Sequence, residues 1–156
     1  MKRCIEANTM RARCFEMVDA EGKTRAALGW SGGSPGLSLY DAEGNKRVAL
    51  VLDSREGPSL SLLDAKGDAR AVLDLNPHGN PRLTFSGAEC EPLAALGVDS
   101  DGRAYLGLWD AGGNARAFLT TGPDGNPRLS LRDAEGWLWE APNGERKPPP
   151  LDDLEI

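Results

Sequence analysis

Side chains that could perform acid–base or metal chemistry are few and scattered in this sequence. His78 is the only histidine and lies in the turn-like segment NPHGN, so it has no second imidazole with which to build a metal site. The cysteines Cys4, Cys14 and Cys90 could act as nucleophiles only by pairing with that histidine, and none has a recognisable catalytic context. We therefore expect no catalytic residue, no bound metal or cofactor, and no enzymatic activity.

One acidic motif resembles part of a calcium loop. In VDSDGR, Asp99 and Asp101 precede Gly102. A calcium loop, however, supplies six or more oxygen ligands, including a bidentate glutamate at a fixed offset. Nothing in the sequence completes that set. The motif therefore favours an aspartate-stabilised turn, with calcium binding as the alternative.

Composition narrows the class of protein. The 156 residues are 40% hydrophobic and 27% charged, which is typical of a globular chain and not of a disordered one. The net charge of −6 argues against nucleic acid as a partner, because phosphate binding needs an excess of Lys and Arg. No apolar run is long enough to span a membrane, and the N-terminus MKRCIEANTMRARCF lacks the apolar core of a secretory signal. With three cysteines in no framework spacing, we expect a cytoplasmic location.

A ten-residue phrase recurs along the chain, as in SLYDAEGNKR and SLLDAKGDAR. A further copy lies hidden near Ser86, where TFSGAECEPLAAL keeps the hydrophobic spacing but lacks the aspartate and the glycine. Six copies then fill residues 14–142, preceded by a lead-in at 1–13 and followed by a proline-rich, acidic and flexible tail at 143–156. The aspartates that mark the other five copies are Asp19, Asp41, Asp64, Asp110 and Asp133.

Each copy reads G-x-P-x-L-x-L-x-D-x-x-G-x-x-R-A-x-L, and both of its halves alternate apolar and polar residues. Such alternation between turn signals predicts two half-buried strands. The D-x-x-G element predicts a type I turn whose glycine adopts the left-handed conformation and forms a bulge. The sequence therefore predicts an all-β fold of tandem β-hairpins, with about twelve short antiparallel strands.

One-faced strands must have their apolar face covered. A single open sheet would leave its leucines in water, and a barrel of twelve strands would be hollow. Two solutions remain: a single-chain β-prism, or identical chains that pack their leucine faces together, for which we favour a homotrimer. The residues expected to form this oligomer core are Leu37, Leu39, Leu60, Leu62, Leu83, Phe85, Leu106, Leu108, Leu129 and Leu131.

Other surface features are expected to have lesser roles. The arginines three residues after the turn glycines should pair with acidic side chains of neighbouring turns and help to set the strand register. They are Arg25, Arg47, Arg70 and Arg116. Aromatic side chains could form a surface for a partner or a ligand, and packing at sheet edges is the alternative. They are Trp30, Tyr40, Trp109, Trp137 and Trp139. In the tail, Leu151, Leu154 and Ile156 could dock on a protein partner.

The repeat motif resembles that of uncharacterised bacterial tandem-repeat proteins with the pattern GxPxLxLxDxxGxxRAxL, which often end, as here, with an aromatic residue before Ala-Pro. More loosely, the chain is similar to the β-repeat shafts of viral and phage trimeric fibres. That similarity implies a homotrimer that acts as a rigid spacer. We therefore expect a non-enzymatic structural or interaction protein, with a carbohydrate-binding, lectin-like β-prism module as the alternative.

Overall fold

A computed structural model describes residues 9, 11–31, 33–76, 78–136, 138–141 and 145–147. Within these residues the chain forms thirteen antiparallel strands of one sheet, and their spatial order is their order along the chain. The strands are β1 Cys14–Val18, β2 Thr24–Ser31, β3 Ser34–Tyr40, β4 Lys46–Asp53, β5 Gly57–Leu63, β6 Ala69–Leu75, β7 Pro81–Ser86, β8 Pro92–Val98, β9 Ala104–Trp109, β10 Ala115–Thr121, β11 Pro127–Arg132, β12 Leu138–Ala141 and β13 Glu145–Lys147. The predicted all-β fold of tandem hairpins is confirmed.

The D-x-x-G segments form the predicted turn. The Gly44 amide donates to the Asp41 carbonyl at 3.2 Å, and the Asp41 amide donates to the Asn45 carbonyl at 3.0 Å. Gly44 has a φ of 89°, and the ladder shifts register between Leu39 and Tyr40, as a bulge requires. The Asp41 carboxylate accepts from the backbone amides of Glu43 and Asn45, so the side chain and the backbone stabilise the same turn.

The fourth copy builds the same turn from different residues. Its hairpin joins β7 to β8, where the Cys90 amide donates to the Gly87 carbonyl at 3.2 Å. Cys90 takes the glycine position with a φ of 64°. Gly87 has no carboxylate, and instead the Glu91 side chain accepts from the Glu89 amide at 2.8 Å. A carboxylate supplied from the other side of the turn thus replaces the missing aspartate, and the hidden copy near Ser86 is confirmed as a hairpin.

Strand register aligns one apolar residue from each of β1–β12 in a straight row across the sheet, here called the central row. Each member is paired directly with the next one, so the row passes through every repeat without a break. Its members are Phe15, Leu28, Leu37, Leu50, Leu60, Leu73, Leu83, Leu96, Leu106, Leu119, Leu129 and Ala141.

Two further rows flank the central row on the same face. The row nearer the D-x-x-G turns, the aspartate-side row, contains Met17, Ala26, Leu39, Val48, Leu62, Ala71, Phe85, Ala94, Leu108, Ala117, Leu131 and Trp139. The row at the other strand ends, the proline-side row, consists of the pairs Trp30–Pro35, Leu52–Pro58, Leu75–Pro81, Val98–Ala104 and Thr121–Pro127. Together the three rows form what we call the leucine face.

Nothing in the described part of the chain covers the leucine face. Each strand contacts only its neighbours along the chain, so there is no second layer. Leu50 and Leu73 remain 49% and 50% exposed, whereas the buried hydrophobic residue of the described sheet is Ala95, on the opposite face. The described strands are therefore not arranged as a single-chain β-prism, in which these leucines would be enclosed.

The structure describes the ends of the chain only in part. Residues 145–147, which are predicted to belong to the flexible tail, form β13 and pair with β12. The proposed docking residues Leu151, Leu154 and Ile156 lie outside the described residues, as do Trp137 and most of the lead-in at 1–13.

Candidate functional site

The leucine face is the dominant chemical feature of the described sheet. Over β1–β12 its three rows carry no charged side chain, and Thr121 supplies their one hydroxyl group. A strand of seven residues is about 23 Å long and twelve strand spacings cover about 58 Å, so the face measures about 1,300 Å². Exposed apolar patches on monomers are usually a few hundred Å². The apolar side chains of this surface are suited to bind another apolar surface, and its rows contain no charged group that could act as an acid or a base.

All ten residues predicted to form an oligomer core lie on this face. Five of them belong to the central row, namely Leu37, Leu60, Leu83, Leu106 and Leu129. The other five belong to the aspartate-side row, namely Leu39, Leu62, Phe85, Leu108 and Leu131. Their burial in an oligomer stays a prediction. Full burial of one leucine side chain is worth about 1.5–3 kcal/mol, so the driving force available to the whole face is large.

The predicted aromatic surface is divided between the two faces of the sheet. Trp30 and Trp139 lie on the leucine face, and Trp30 is 71% exposed there. Tyr40 and Trp109 follow leucine-face residues in their strands and therefore point to the opposite side. Residues on opposite faces of one sheet cannot contact a single ligand, so the sequence-predicted set is not one site.

An aromatic group on the opposite face was not predicted from the sequence. The Tyr105 and Phe118 rings are stacked with centroids 5.5 Å apart, and Trp109 meets Phe118 edge-on at 6.4 Å. Gly107 lies beneath them, since a Cβ there would come within 2.3 Å of the Trp109 ring. The sequence signal was present, because Phe118 occupies a position that holds Ala49, a small residue, in an earlier repeat.

Beside this aromatic group lies a shallow depression of about 250 Å³. Its lining is mixed, with Phe118 and Leu138 next to the charged residues Arg116, Arg132 and Glu140. The rings are packed against one another and against Gly107, so only their outer edges are available to a ligand. The depression can therefore offer hydrogen bonds and ring edges, but no open aromatic platform.

The arginines of the repeats pair with the aspartate of their own turn. Arg47 contacts Asp41 at 3.3 Å, and Arg70 contacts Asp64 at 2.5 Å. The expected partner, an acidic side chain of a neighbouring turn, is replaced by a carbonyl of the next hairpin: Arg47 Nε donates to the Leu63 carbonyl at 2.9 Å. The reason is geometric. Six residues after the aspartate, the chain has passed through the turn and begun the second strand of the same hairpin, and this places the arginine beside that aspartate.

The same arrangement recurs in the other copies. Arg70 donates to the Gly87 carbonyl and Arg116 to the Asp133 carbonyl, so each arginine bridges two successive turns on one edge of the sheet. Arg25 lies 3.7 Å from Asp19. These guanidinium groups are already engaged, which favours a role in setting register over one in reading anionic ligands.

Hydrogen bonds at two of the turns depress the pKa of the turn aspartates Asp64 and Asp110. The backbone amide of Asn114, the Asn114 side chain and Arg116 together lower the pKa of Asp110 from 3.8 to about 2. For Asp64 the Arg70 guanidinium is the main cause of the lowered pKa. These carboxylates are thus held ionised as acceptors, which is the opposite of what a general acid requires.

The other candidate chemical residues lie in turns. Asp99 accepts from the amides of Asp101 and Arg103, and the Arg103 side chain pairs with both carboxylates. His78 is exposed, and its amide donates to Asn76 Oδ1 at 2.9 Å. Among the residues that the structure describes, no group of three or more His, Cys, Asp or Glu side chains could hold a metal ion.

Comparison with known proteins assigns no family. No known family model matches the chain, and no curated protein matches it. The described residues also contain no helix that is long and apolar enough to cross a membrane.

Proposed function

We propose that this protein is a non-enzymatic structural protein, a β-repeat scaffold or spacer that assembles from copies of itself through the leucine face, with a homotrimer as the favoured form. The observation that carries this proposal is the unbroken row of apolar side chains across twelve strands, of which eight side chains are exposed and none is buried. Exposure of an apolar surface of this extent to water is unfavourable in free energy. Contact with a second apolar surface removes both surfaces from water and is therefore favourable.

A copy of the same chain is the partner that best matches this face. The apolar pattern repeats with every hairpin, and a surface of the same pitch exists on each other copy. The available area, about 1,300 Å², exceeds the roughly 800 Å² that each partner buries in a standard protein interface. Arg47 and Arg70 each link two successive turns, and such links between repeats support a role as a spacer.

Light scattering behind a sizing column tests this proposal. We expect a mass near three times the chain mass of 16.6 kDa. Leu60→Asp should dissociate the assembly, because it places a charge in the middle of the apolar contact. The matched control is Ser61→Asp, one residue along β5 on the opposite face, which should keep the parent mass. A stable monomer of the unmodified chain would overturn the proposal.

Carbohydrate binding is the second candidate function. The observation that supports it is the mixed depression beside Phe118, where Arg132 lies in the same lining as the edge of an aromatic ring. Binding of a protein partner through Leu151, Leu154 and Ile156 is a further proposal for the tail. A pull-down with the full chain, repeated with a chain shortened before residue 148, tests it.

A further inference from the structure

We propose that three copies pack their leucine faces around a threefold axis that runs along the long dimension of the sheet, with all copies parallel and at the same height. This arrangement rests on the proposed function and deepens it, since it names the partner of each row. Strands would run across the axis, and the thirteen strands of each chain would form one side of a triangular prism about 58 Å long.

The length of the strands matches the width of such a prism. A seven-residue strand such as β5 forms a side of about 23 Å, and the centre of a triangle with that side lies about 7 Å from the middle of each side. That distance is close to the reach of a leucine side chain. The central row occupies the middle of the strands, and over β2–β11 every member is leucine. Three leucines at each height would fill the axis.

Toward the corners the space narrows, and the flanking rows hold small residues on alternate strands where the central row keeps leucine. Rotation about a long axis brings the aspartate-side row of one copy against the proline-side row of the next copy. Each of these rows lies two residues from the central row, which leaves them about 5 Å apart at the corner. A corner of that size has room for one large side chain at each height and not for two.

The two flanking rows alternate in opposite phase, which meets this requirement. On β5, Leu62 of one copy would face Pro58 of the next, and on β6, Ala71 would face Leu75. The same alternation holds along the sheet, with β2 Ala26 and Trp30, β3 Leu39 and Pro35, β4 Val48 and Leu52, β7 Phe85 and Pro81, β8 Ala94 and Val98, β9 Leu108 and Ala104, β10 Ala117 and Thr121, and β11 Leu131 and Pro127.

This pattern selects the register. A shift by one strand would place Leu62 against Leu75 and Ala71 against Pro81, which leaves clashes and holes in turn. A sandwich of two sheets has a nearly uniform thickness of about 10 Å and gives no reason for leucine throughout the central row beside flanking rows that alternate large and small residues. The triangle gives the axis room for three leucines and each corner room for one large and one small side chain, and the pattern therefore favours the triangle.

A double-cysteine variant tests the predicted corner. The full chain with Cys4→Ser, Cys14→Ser and Cys90→Gly serves as the background, and Ala71→Cys and Leu75→Cys are added to it. Within one chain these two positions lie four residues apart on β6, about 13 Å, which is too far for a disulfide. Between copies the corner brings them within disulfide range. After mild oxidation, we expect most of the chain to migrate as a covalent trimer on a non-reducing gel.

Control variants should form no covalent link, and each contrary result would contradict a different part of the proposal. Each single-cysteine variant, and Ala71→Cys combined with Val98→Cys two strands away, should stay unlinked. A covalent dimer as the end product would overturn the threefold axis, and absence of linkage in a species of trimer mass would overturn the register. The background protein is measured in parallel by light scattering, and a monomer there would instead overturn the proposed self-assembly.

Discussion

Leu60 and Leu73 are directly paired across β5 and β6, and both side chains remain in contact with solvent, at 37% and 50% exposure. Cross-strand leucine pairs usually form the inner layer of a sandwich or a barrel. Here the same pairing continues through ten consecutive strands of a sheet that has no second layer in the described part of the chain. The stability of the protein should therefore depend on what covers this row.

Truncation of one member of the central row measures that dependence. Leu73→Ala should lower the free energy of unfolding by about 2–5 kcal/mol if the face is buried in an assembly. Val72→Ala, the adjacent position on the opposite face, should cost less, roughly 1 kcal/mol. Urea unfolding at two protein concentrations provides both values and the dependence on concentration that an oligomer shows. A loss within about 0.5 kcal/mol for Leu73→Ala would mean that the face lies in water.

Acid should weaken the turn at Asp110, because hydrogen bonds hold its pKa at about 2 in the folded chain, below the ordinary value of 3.8. A carboxylate with a depressed pKa contributes stability above its unfolded pKa, and that contribution is lost as the pH falls from about 4 through 2. Asp110→Asn should remove this contribution, so the Tm of the variant should fall less steeply over that range than the Tm of the parent. A Tm profile parallel to that of the parent would contradict the prediction.

Asn76 provides the matched control for this experiment. Its side-chain oxygen accepts from the amides of His78 and Asn80 in the same geometry, so an amide is sufficient to build the turn. Asn76→Asp should therefore keep the fold and add a carboxylate that titrates with a lowered pKa. Its Tm should fall more steeply than that of the parent below about pH 4.

Cys90 occupies a left-handed backbone conformation that elsewhere in the D-x-x-G turns belongs to glycine. Gly113 has the equivalent position one repeat later, with a φ of 79° and open space around its Cα. Gly113→Cys should destabilise the chain by roughly 1 kcal/mol through the backbone alone. Cys90→Gly should be neutral or stabilising by up to about 1 kcal/mol, since relief of the conformation is offset by the entropy of glycine in the unfolded chain. Equal effects of the same sign would refute this account.

A glycan array separates the two candidate functions. If the protein is a scaffold, the array should be blank with the unmodified chain. If the depression beside Phe118 binds sugars, signals should appear that Arg132→Ala weakens and that Trp30→Ala, on the other face, leaves unchanged. Trp30→Ala should instead alter the mass measured by light scattering, because Trp30 lies in the proline-side row.

Much of this fold is predictable from the sequence because its determinants are local. Alternation with period two and the D-x-x-G turns act within about ten residues, so the strands, the hairpins and the shared face of Leu60 and Leu62 follow from spacing alone. The hidden fourth copy follows from the repeat period as well. The replacement of the missing aspartate by Glu91, whose carboxylate accepts from the Glu89 amide, does not follow from the repeat period. A carboxylate from either side of the turn can reach the same amide, so the sequence alone does not show which residue supplies it.

Contacts between distant positions were decided only by the tertiary structure. Bulges in the ladder set which carbonyl each arginine reaches, so Arg47 bonds to Leu63 of the next hairpin and not to an acidic side chain there. The stacking of Phe118 on Tyr105 needs the register of β9 against β10. Whether the sheet closes on itself depends on the free energy of the whole apolar face and not on any single hairpin. Local signals in the sequence therefore determined the strands and the face on which each residue lies. Only the tertiary structure decided that the described strands form no second layer, because this depends on how all of them pack together.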